Sequence, residues 1–119
     1  MSLTDDKRAT KHLTMYDRRY AIRIPISAEA EILDLETGKK LKGATTDISL
    51  GGCFITTERP LSRSCRVRAF LSHKNERIEV LAVVRTVKDR VGMGIEFLDL
   101  DETSHTILRR WVASGKAQR

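Results

Sequence analysis

The sequence predicts a small antiparallel β-barrel of six strands followed by one C-terminal α-helix. Between residues 24 and 98, apolar residues recur at every second position, which is the period of strands with one face toward a core. Short polar or glycine-containing stretches interrupt this pattern, and the residues after it change to a helical period. Six short strands joined mostly by tight turns favour closure into a barrel or a nearly closed one.

The first half of the chain supplies three of the predicted strands. Four apolar residues share one face of the first strand: Ile26, Ala28, Ala30 and Ile32. The glycine turn in ETGKK then joins this strand to a second one over residues 41–47, as in a hairpin. A third strand covers residues 53–57, and the proline of RPLSRS ends it because proline cannot continue a hydrogen-bonded ladder.

The second half supplies the other three strands. Val67, Ala69 and Leu71 alternate with polar or outward positions in the fourth strand, and the turn HKNE leads into RIEVLAVVRTV, the fifth. The stretch VGMGIEF forms the sixth. Its apolar residues are predicted to share the inward face: Val91, Met93, Ile95 and Phe97.

The last segment, LDLDETSHTILRRWVAS, is predicted to be a helix that starts with Asp99 or Asp101 as N-cap and ends before Gly115. Four apolar residues recur at helical spacing: Ile107, Leu108, Trp111 and Val112. We interpret this stripe as packing on the barrel, with Trp111 plugging it or covering its side. A surface for a partner protein is the alternative interpretation.

A chain of 119 residues suits one domain. We expect a mobile, polar N-terminal extension over residues 1–17, a single domain over 18–115 and a tail over 116–119. Because no apolar run suits a signal peptide or a membrane span, the sequence predicts a cytoplasmic protein.

Cys53 and Cys65 lie outside any CxxC pair and away from histidine, so they are expected to be buried apolar residues rather than a disulfide or a metal site.

The charge balance favours an anionic ligand. Lysine and arginine number 22 against 16 acidic residues, a net charge of +6. Only six aromatic residues are present (three Phe, two Tyr, one Trp), too few to favour a stacking platform for single-stranded nucleic acid, although this class stays open as a weaker alternative. An enzyme is also disfavoured, because His12, His73 and His105 do not accompany a recognisable serine or cysteine nucleophile.

Two stretches carry candidate binding residues. MYDRRYAIRIPIS places Arg18, Arg19 and Arg23 where the extension meets the first strand, and a guanidinium can bind phosphate or the O6/N7 edge of guanine through two hydrogen bonds. TTDISLGGCF, between the second and third strands, contains one carboxylate, one hydroxyl and two adjacent glycines: Asp47, Ser49, Gly51 and Gly52.

The glycines permit positive φ and a close approach of a ligand to the backbone. The alternative for this stretch is a glycine-rich turn held by an Asx hydrogen bond from Asp47.

Arg19 and Arg23 form the pattern RxxxR, and Asp47, Ser49 and Gly52 form DxSxxG about two dozen residues later. With GMGIEF in the last strand, the sequence from Arg18 to the helix resembles a PilZ domain. The resemblance implies a six-stranded PilZ-type barrel and a bacterial, non-enzymatic receptor for the second messenger cyclic di-GMP, without metal or cofactor.

In such a receptor, the resemblance implies that Arg19 and Arg23 bind the phosphates and guanine bases. It also implies that Asp47, Ser49 and Gly52 line the barrel side of the same site. A PilZ-like adaptor that binds a protein partner and no nucleotide is the alternative.

Arg18 adds a third guanidinium directly before RxxxR. Crowded like charges repel unless an anion compensates them, and PilZ domains with arginine at this position resemble those that bind an intercalated cyclic di-GMP dimer. We therefore predict the dimer as ligand, the alternative being that Arg18 points to solvent. The ligand is expected to order the arginine-rich arm, which an unidentified downstream protein then recognises.

Overall fold

The computed structural model describes residues 22–117, which form six strands and one helix. The strands are β1 (Glu29–Asp34), β2 (Lys40–Ile48), β3 (Gly52–Thr56), β4 (Arg66–His73), β5 (Glu76–Lys88) and β6 (Gly92–Leu100), and the helix is α1 (Glu102–Ala117). The strands pair antiparallel in the closed order β1-β2-β3-β6-β5-β4, with β4 returning to β1. The predicted six-stranded barrel with a C-terminal helix is therefore confirmed.

The barrel interior contains the apolar residues of the period-two pattern. Along β1, the buried Ala30 and Ile32 alternate with the exposed Glu29 and Glu31, and the same alternation recurs in β4. Cys53 and Cys65 are buried and free, as predicted. The sequence pattern predicts that Val91 faces inward, but the residue is 52% exposed. It lies in the turn before β6, where its N–H donates to the Lys88 carbonyl at 2.9 Å, so the strand period does not yet apply.

The segment before β1 is less regular than its pattern suggests. Ile24, Ile26 and Ala28 alternate inward and are buried, but the strand begins only at Glu29. Ile24 forms one isolated antiparallel bridge with Ile48. Between this bridge and β1, the side chain of Thr45 replaces backbone groups as hydrogen-bond partner. The strand predicted to begin at Ile24 is thus replaced by a shorter strand and a preceding segment, residues 22–28, that hydrogen bonds hold on the barrel. We call residues 22–28 the entry segment.

Helix α1 begins after Asp101, whose carboxylate accepts from the Ser104 N–H at 2.7 Å, so Asp101 is the N-cap. The helix packs on β5 and β6, and Trp111, 5% exposed, covers the side of the barrel.

The prediction that Gly115 lies beyond the helix is wrong, since α1 continues to Ala117. Gly115 packs against Ile24, and this contact favours continuing the helix past glycine. Among the described residues, no helix is long and apolar enough to cross a membrane.

Candidate ligand-binding site

Arg23 and Asp47 meet on the barrel surface although 24 positions separate them in the sequence. The Nε and Nη2 atoms of Arg23 each lie 2.8 Å from Oδ1 of Asp47. The two side chains are 49% and 31% exposed, so water reaches both charges. A pair this exposed contributes roughly 0–1 kcal/mol to folding, and its partners are therefore available to a competing ligand.

Backbone hydrogen bonds determine where Arg23 lies. The neighbouring Ile24 donates its N–H to the Ile48 carbonyl at 2.8 Å and accepts from the Ile48 N–H at 2.9 Å. These bonds fix the chain beside the end of β2, where Asp47 precedes Ile48. The position of the guanidinium therefore depends on the main chain rather than on the ion pair alone.

Thr45 is a second anchor for the entry segment. Its buried hydroxyl donates to the Ile26 carbonyl at 2.6 Å and accepts from the Ala28 N–H at 2.8 Å, while its own N–H donates to the Ala28 carbonyl at 2.9 Å. The sequence interpretation gave Thr45 no role. A threonine at an inward position of a strand, two residues before Asp47, is the only signal that indicated it.

A β-bulge turns Asp47 toward the site. The register between β2 and β3 shifts between Thr45 and Asp47, after which Asp47 lies opposite Phe54 and Ile48 opposite Cys53. Asp47 and Phe54 therefore share the outer face, while Cys53 is buried beneath them. Burial strongly raises the pKa of the Cys53 thiol, so this sulfur stays protonated and unreactive.

Ser49 organises the turn between β2 and β3. Its hydroxyl accepts from the N–H groups of Gly51 and Gly52, at 3.2 and 3.1 Å, and donates to the Gly52 carbonyl at 3.2 Å. The alternative interpretation of the sequence assigns the hydrogen bond that closes this turn to Asp47. The structure gives that role to Ser49, because the Asp47 carboxylate binds Arg23 instead.

Gly52 in this turn serves close packing rather than an unusual backbone conformation. Among the described residues, Gly38 is the glycine with positive φ, so Gly51 and Gly52 do not use the conformational freedom that the sequence offers there. A Cβ atom at Gly52 would overlap the carbonyl oxygen of Ile95 on β6. The Gly51 carbonyl also accepts from the Phe97 N–H at 2.8 Å, which ties the turn to β6.

The structure thus brings together five of the seven predicted site residues: Arg23, Asp47, Ser49, Gly51 and Gly52. Arg18 and Arg19 lie outside the described residues. Beyond the predicted set, the Phe54 ring lies on the Asp47 face, with the Lys88 ammonium 5.6 Å from its centroid. The described part of the chain contains no group of three or more His, Cys, Asp or Glu side chains that could hold a metal ion.

Chemically, this surface offers a guanidinium fork, a carboxylate acceptor and an aromatic ring on one face. A guanidinium binds phosphate oxygens or a purine edge, and a carboxylate accepts from adjacent N–H donors. The combination suits an anionic ligand that also presents a donor edge.

A model of the PilZ domain family matches residues 17–114 of the chain. No curated protein matches it. Among solved structures, the Bacillus subtilis inhibitor of motility MotI/DgrA has a TM-score of 0.69 at 17% identity, over 82% of this chain and 51% of that one. This chain therefore spans about half the length of that relative.

Two isolated PilZ domains are covered almost completely. The PilZ domain of CeSA from a cellulose-synthesizing bacterium has a TM-score of 0.63 at 22% identity, over 78% of this chain and 96% of that one. The PilZ domain of Escherichia coli YcgR, solved with c-di-GMP, has a TM-score of 0.67 at 16% identity, over 82% and 90%. These likenesses show a shared fold, and the family match covers most of the sequence. The chain belongs to the PilZ domain family.

Proposed function

We propose that this protein is a receptor for cyclic di-GMP, with no enzymatic activity of its own. The observation that carries the proposal is the Arg23–Asp47 pair, in which the second arginine of RxxxR meets the aspartate of DxSxxG. The family supports it, as does the fold shared with the YcgR domain that was solved with this nucleotide. Two buried free thiols, Cys53 and Cys65, are compatible with the reducing cytoplasm that we propose as its location.

Each proposed site residue has a chemical role. Arg23 and Arg19 bind phosphate oxygens or the O6/N7 edge of guanine, while Asp47 accepts from the guanine ring N–H and exocyclic amine. Adenine does not present this donor pair, so Asp47 favours guanine. Ser49, Gly51 and Gly52 form the floor of the site, where the turn lets a base approach the backbone.

Ligand binding has to compete with the Arg23–Asp47 pair. The exposed pair is worth roughly 0–1 kcal/mol, whereas a hydrogen bond between a ligand and a charged group contributes about 1.5–3 kcal/mol. A ligand that binds both side chains therefore compensates for separating them. Ordering the preceding residues consumes part of this gain, and micromolar affinity is the expected result.

The arm is the proposed output of the receptor. We propose that cyclic di-GMP orders residues 18–23 against the barrel and that a downstream protein recognises the ordered arm. Hydrogen exchange with and without cyclic di-GMP tests this: amide protection should rise at residues 18–23. Unchanged exchange there, with ligand bound, would exclude arm ordering while leaving the receptor itself intact.

Arg18 extends the proposal to ligand stoichiometry. We propose that it binds the additional phosphates of an intercalated cyclic di-GMP dimer. Calorimetry of the native protein should then give two ligand molecules per chain. The value should fall toward one in Arg18→Leu, which replaces the charged side chain by an apolar one of comparable reach. A native value of one, or an unchanged value of two in the variant, removes Arg18 from the site.

The deciding experiment is calorimetric titration with cyclic di-GMP, with cyclic di-AMP and GTP as controls. Heat and thermal stabilisation with cyclic di-GMP alone are expected. If no nucleotide gives either signal, the adaptor function, which requires only a protein partner, takes the place of the receptor. Binding of single-stranded nucleic acid with a steep salt dependence and no preference for guanine would point to the third class.

A further inference from the structure

The end of α1 touches the segment that carries Arg23. Gly115, in the last turn of the helix, packs directly on the side chain of Ile24. Ile24 is 1% exposed, and the same residue makes the backbone bridge to Ile48 beside Asp47. At Ile24, the entry segment (residues 22–28) is therefore held between the barrel on one side and the helix end on the other.

The contact leaves no room for a side chain at position 115. A Cβ atom there would overlap the Cγ2 methyl of Ile24 and lie 3.3 Å from its Cβ. Isoleucine is β-branched and stiff at χ1, so its Cγ2 cannot easily turn aside. Its Cβ moves only with the main chain. A larger residue at position 115 must therefore displace either the helix end or Ile24, and Arg23 follows Ile24.

We infer that Gly115 is a positioning residue for the candidate site, acting through Ile24, and that the last turn of α1 is coupled to ligand binding. This inference rests on the proposed function, because it concerns the same Arg23–Asp47 site. Coupling between two sites is reciprocal. The helix end that holds Ile24 in place strengthens ligand binding, and a bound ligand strengthens the contact by the same factor.

Gly115→Ala gives a test whose expected sign is opposite to that of helix propensity. Alanine normally stabilises a helix interior relative to glycine, so without the contact the variant would melt at a higher temperature. With the contact, the melting temperature should stay level or fall. In the ligand-free protein, amide protection should fall at Ile24 and Ile48, whose N–H groups form the bridge. This part of the test needs no ligand.

The second part measures cyclic di-GMP binding. Gly115→Ala should weaken it roughly fivefold or more, while the matched control Ser114→Ala, at an exposed position of the same turn, should leave it unchanged. In the native protein, cyclic di-GMP should raise amide protection in the last described turn of α1. The added Ile24→Ala change makes room for the new methyl, so the double variant should lose less stability than the sum of the two single changes.

The outcomes separate this inference from the proposed function. A Gly115→Ala protein with a raised melting temperature, native protection at Ile24 and native affinity would overturn the coupling. If the native protein binds no cyclic di-GMP, the proposed function fails. The protection at Ile24 and the double-variant comparison then still decide whether Gly115 holds the entry segment.

Discussion

Two arginine–carboxylate pairs on this barrel have similar exposure and different surroundings. Arg23–Asp47 is 49% and 31% exposed, and Arg110–Glu76 is 56% and 31% exposed. The Glu76 carboxylate accepts from Arg110 at 2.6 Å and also from the indole N–H of Trp111 at 3.1 Å. The Asp47 carboxylate instead lies beside a glycine turn and a half-buried phenylalanine.

The difference shows how an ion pair can be structural or available for binding at the same exposure. Glu76 connects α1 to the start of β5 through a buried aromatic residue, and His73 adds an edge-on contact to Trp111 with ring centroids 5.3 Å apart. Separating that pair would remove one of the two hydrogen bonds by which Glu76 holds α1 on the barrel. Separating Arg23 from Asp47 leaves the backbone bridge at Ile24 in place, so a ligand can bind both side chains.

The largest effect is expected at Trp111. Trp111→Ala removes a large buried side chain from the helix–barrel contact and should cost roughly 3–5 kcal/mol of folding free energy. Thermal unfolding followed by circular dichroism measures this loss. A melting temperature near that of the native protein would mean that α1 contributes little to the core.

Thr45→Val tests the scaffold beneath the candidate site. Valine keeps the shape but leaves the Ile26 carbonyl and the Ala28 N–H without the Thr45 hydroxyl, at a cost of about 1–3 kcal/mol. Denaturant unfolding should show this loss, and Thr45→Ser should recover most of it. If serine destabilises the protein while valine does not, the methyl group rather than the hydroxyl is what Thr45 contributes.

Arg23→Ala and Asp47→Ala should act on binding rather than on folding. Each is expected to weaken cyclic di-GMP binding at least about tenfold, or about 1.4 kcal/mol, with the melting temperature of the free protein nearly unchanged. Calorimetry and thermal melts of the same samples measure both. Gross instability of either variant would make the Arg23–Asp47 pair a structural one.

Arg110→Ala is the matched control from the other pair. It removes an exposed guanidinium from Glu76, so the expected cost is roughly 0–1 kcal/mol of stability, with native affinity for cyclic di-GMP. The same calorimetric titration checks it. A tenfold loss of affinity here would show that the two regions are not independent.

The smallest expected effect is the loss of stability at acid pH when Glu76 is protonated. The hydrogen bond from Arg110 holds the pKa of Glu76 below its ordinary value of 4.5, and that from Trp111 acts in the same direction. The pair therefore stabilises the fold above about pH 4.5, and this contribution is lost as the pH falls through the lower folded pKa. Fluorescence of Trp111, the single tryptophan, should report the loss.

The control for this titration is Glu76→Gln, which cannot ionise. Asp34 also has a lowered pKa, chiefly because it accepts the Glu36 N–H, so the comparison between the two proteins isolates Glu76. Identical acid transitions in both would contradict the assignment.

Much of the fold was readable from the sequence because the apolar alternation of strands is a local signal. The period of two located six strands, and the helical spacing of Leu108, Trp111 and Val112 located α1. The pattern failed where a side chain or a distant element intervened. Before β1, the Thr45 side chain takes the place of the backbone hydrogen bonds of a strand. The turn at Val91 interrupts the alternation before β6. Gly115 stays helical because Ile24 packs on it.

The sequence by itself determined which chemistry is present: arginines near the first strand, and a carboxylate, a hydroxyl and two glycines in one turn. The tertiary structure alone decided that Arg23 meets Asp47, that Ser49 holds the turn, and that the end of α1 touches the segment carrying Arg23. These outcomes depend on barrel closure, a bulge and side-chain packing between residues far apart in the chain. Such contacts leave no periodic signal in a single sequence, because each is set by one pair of neighbours in space.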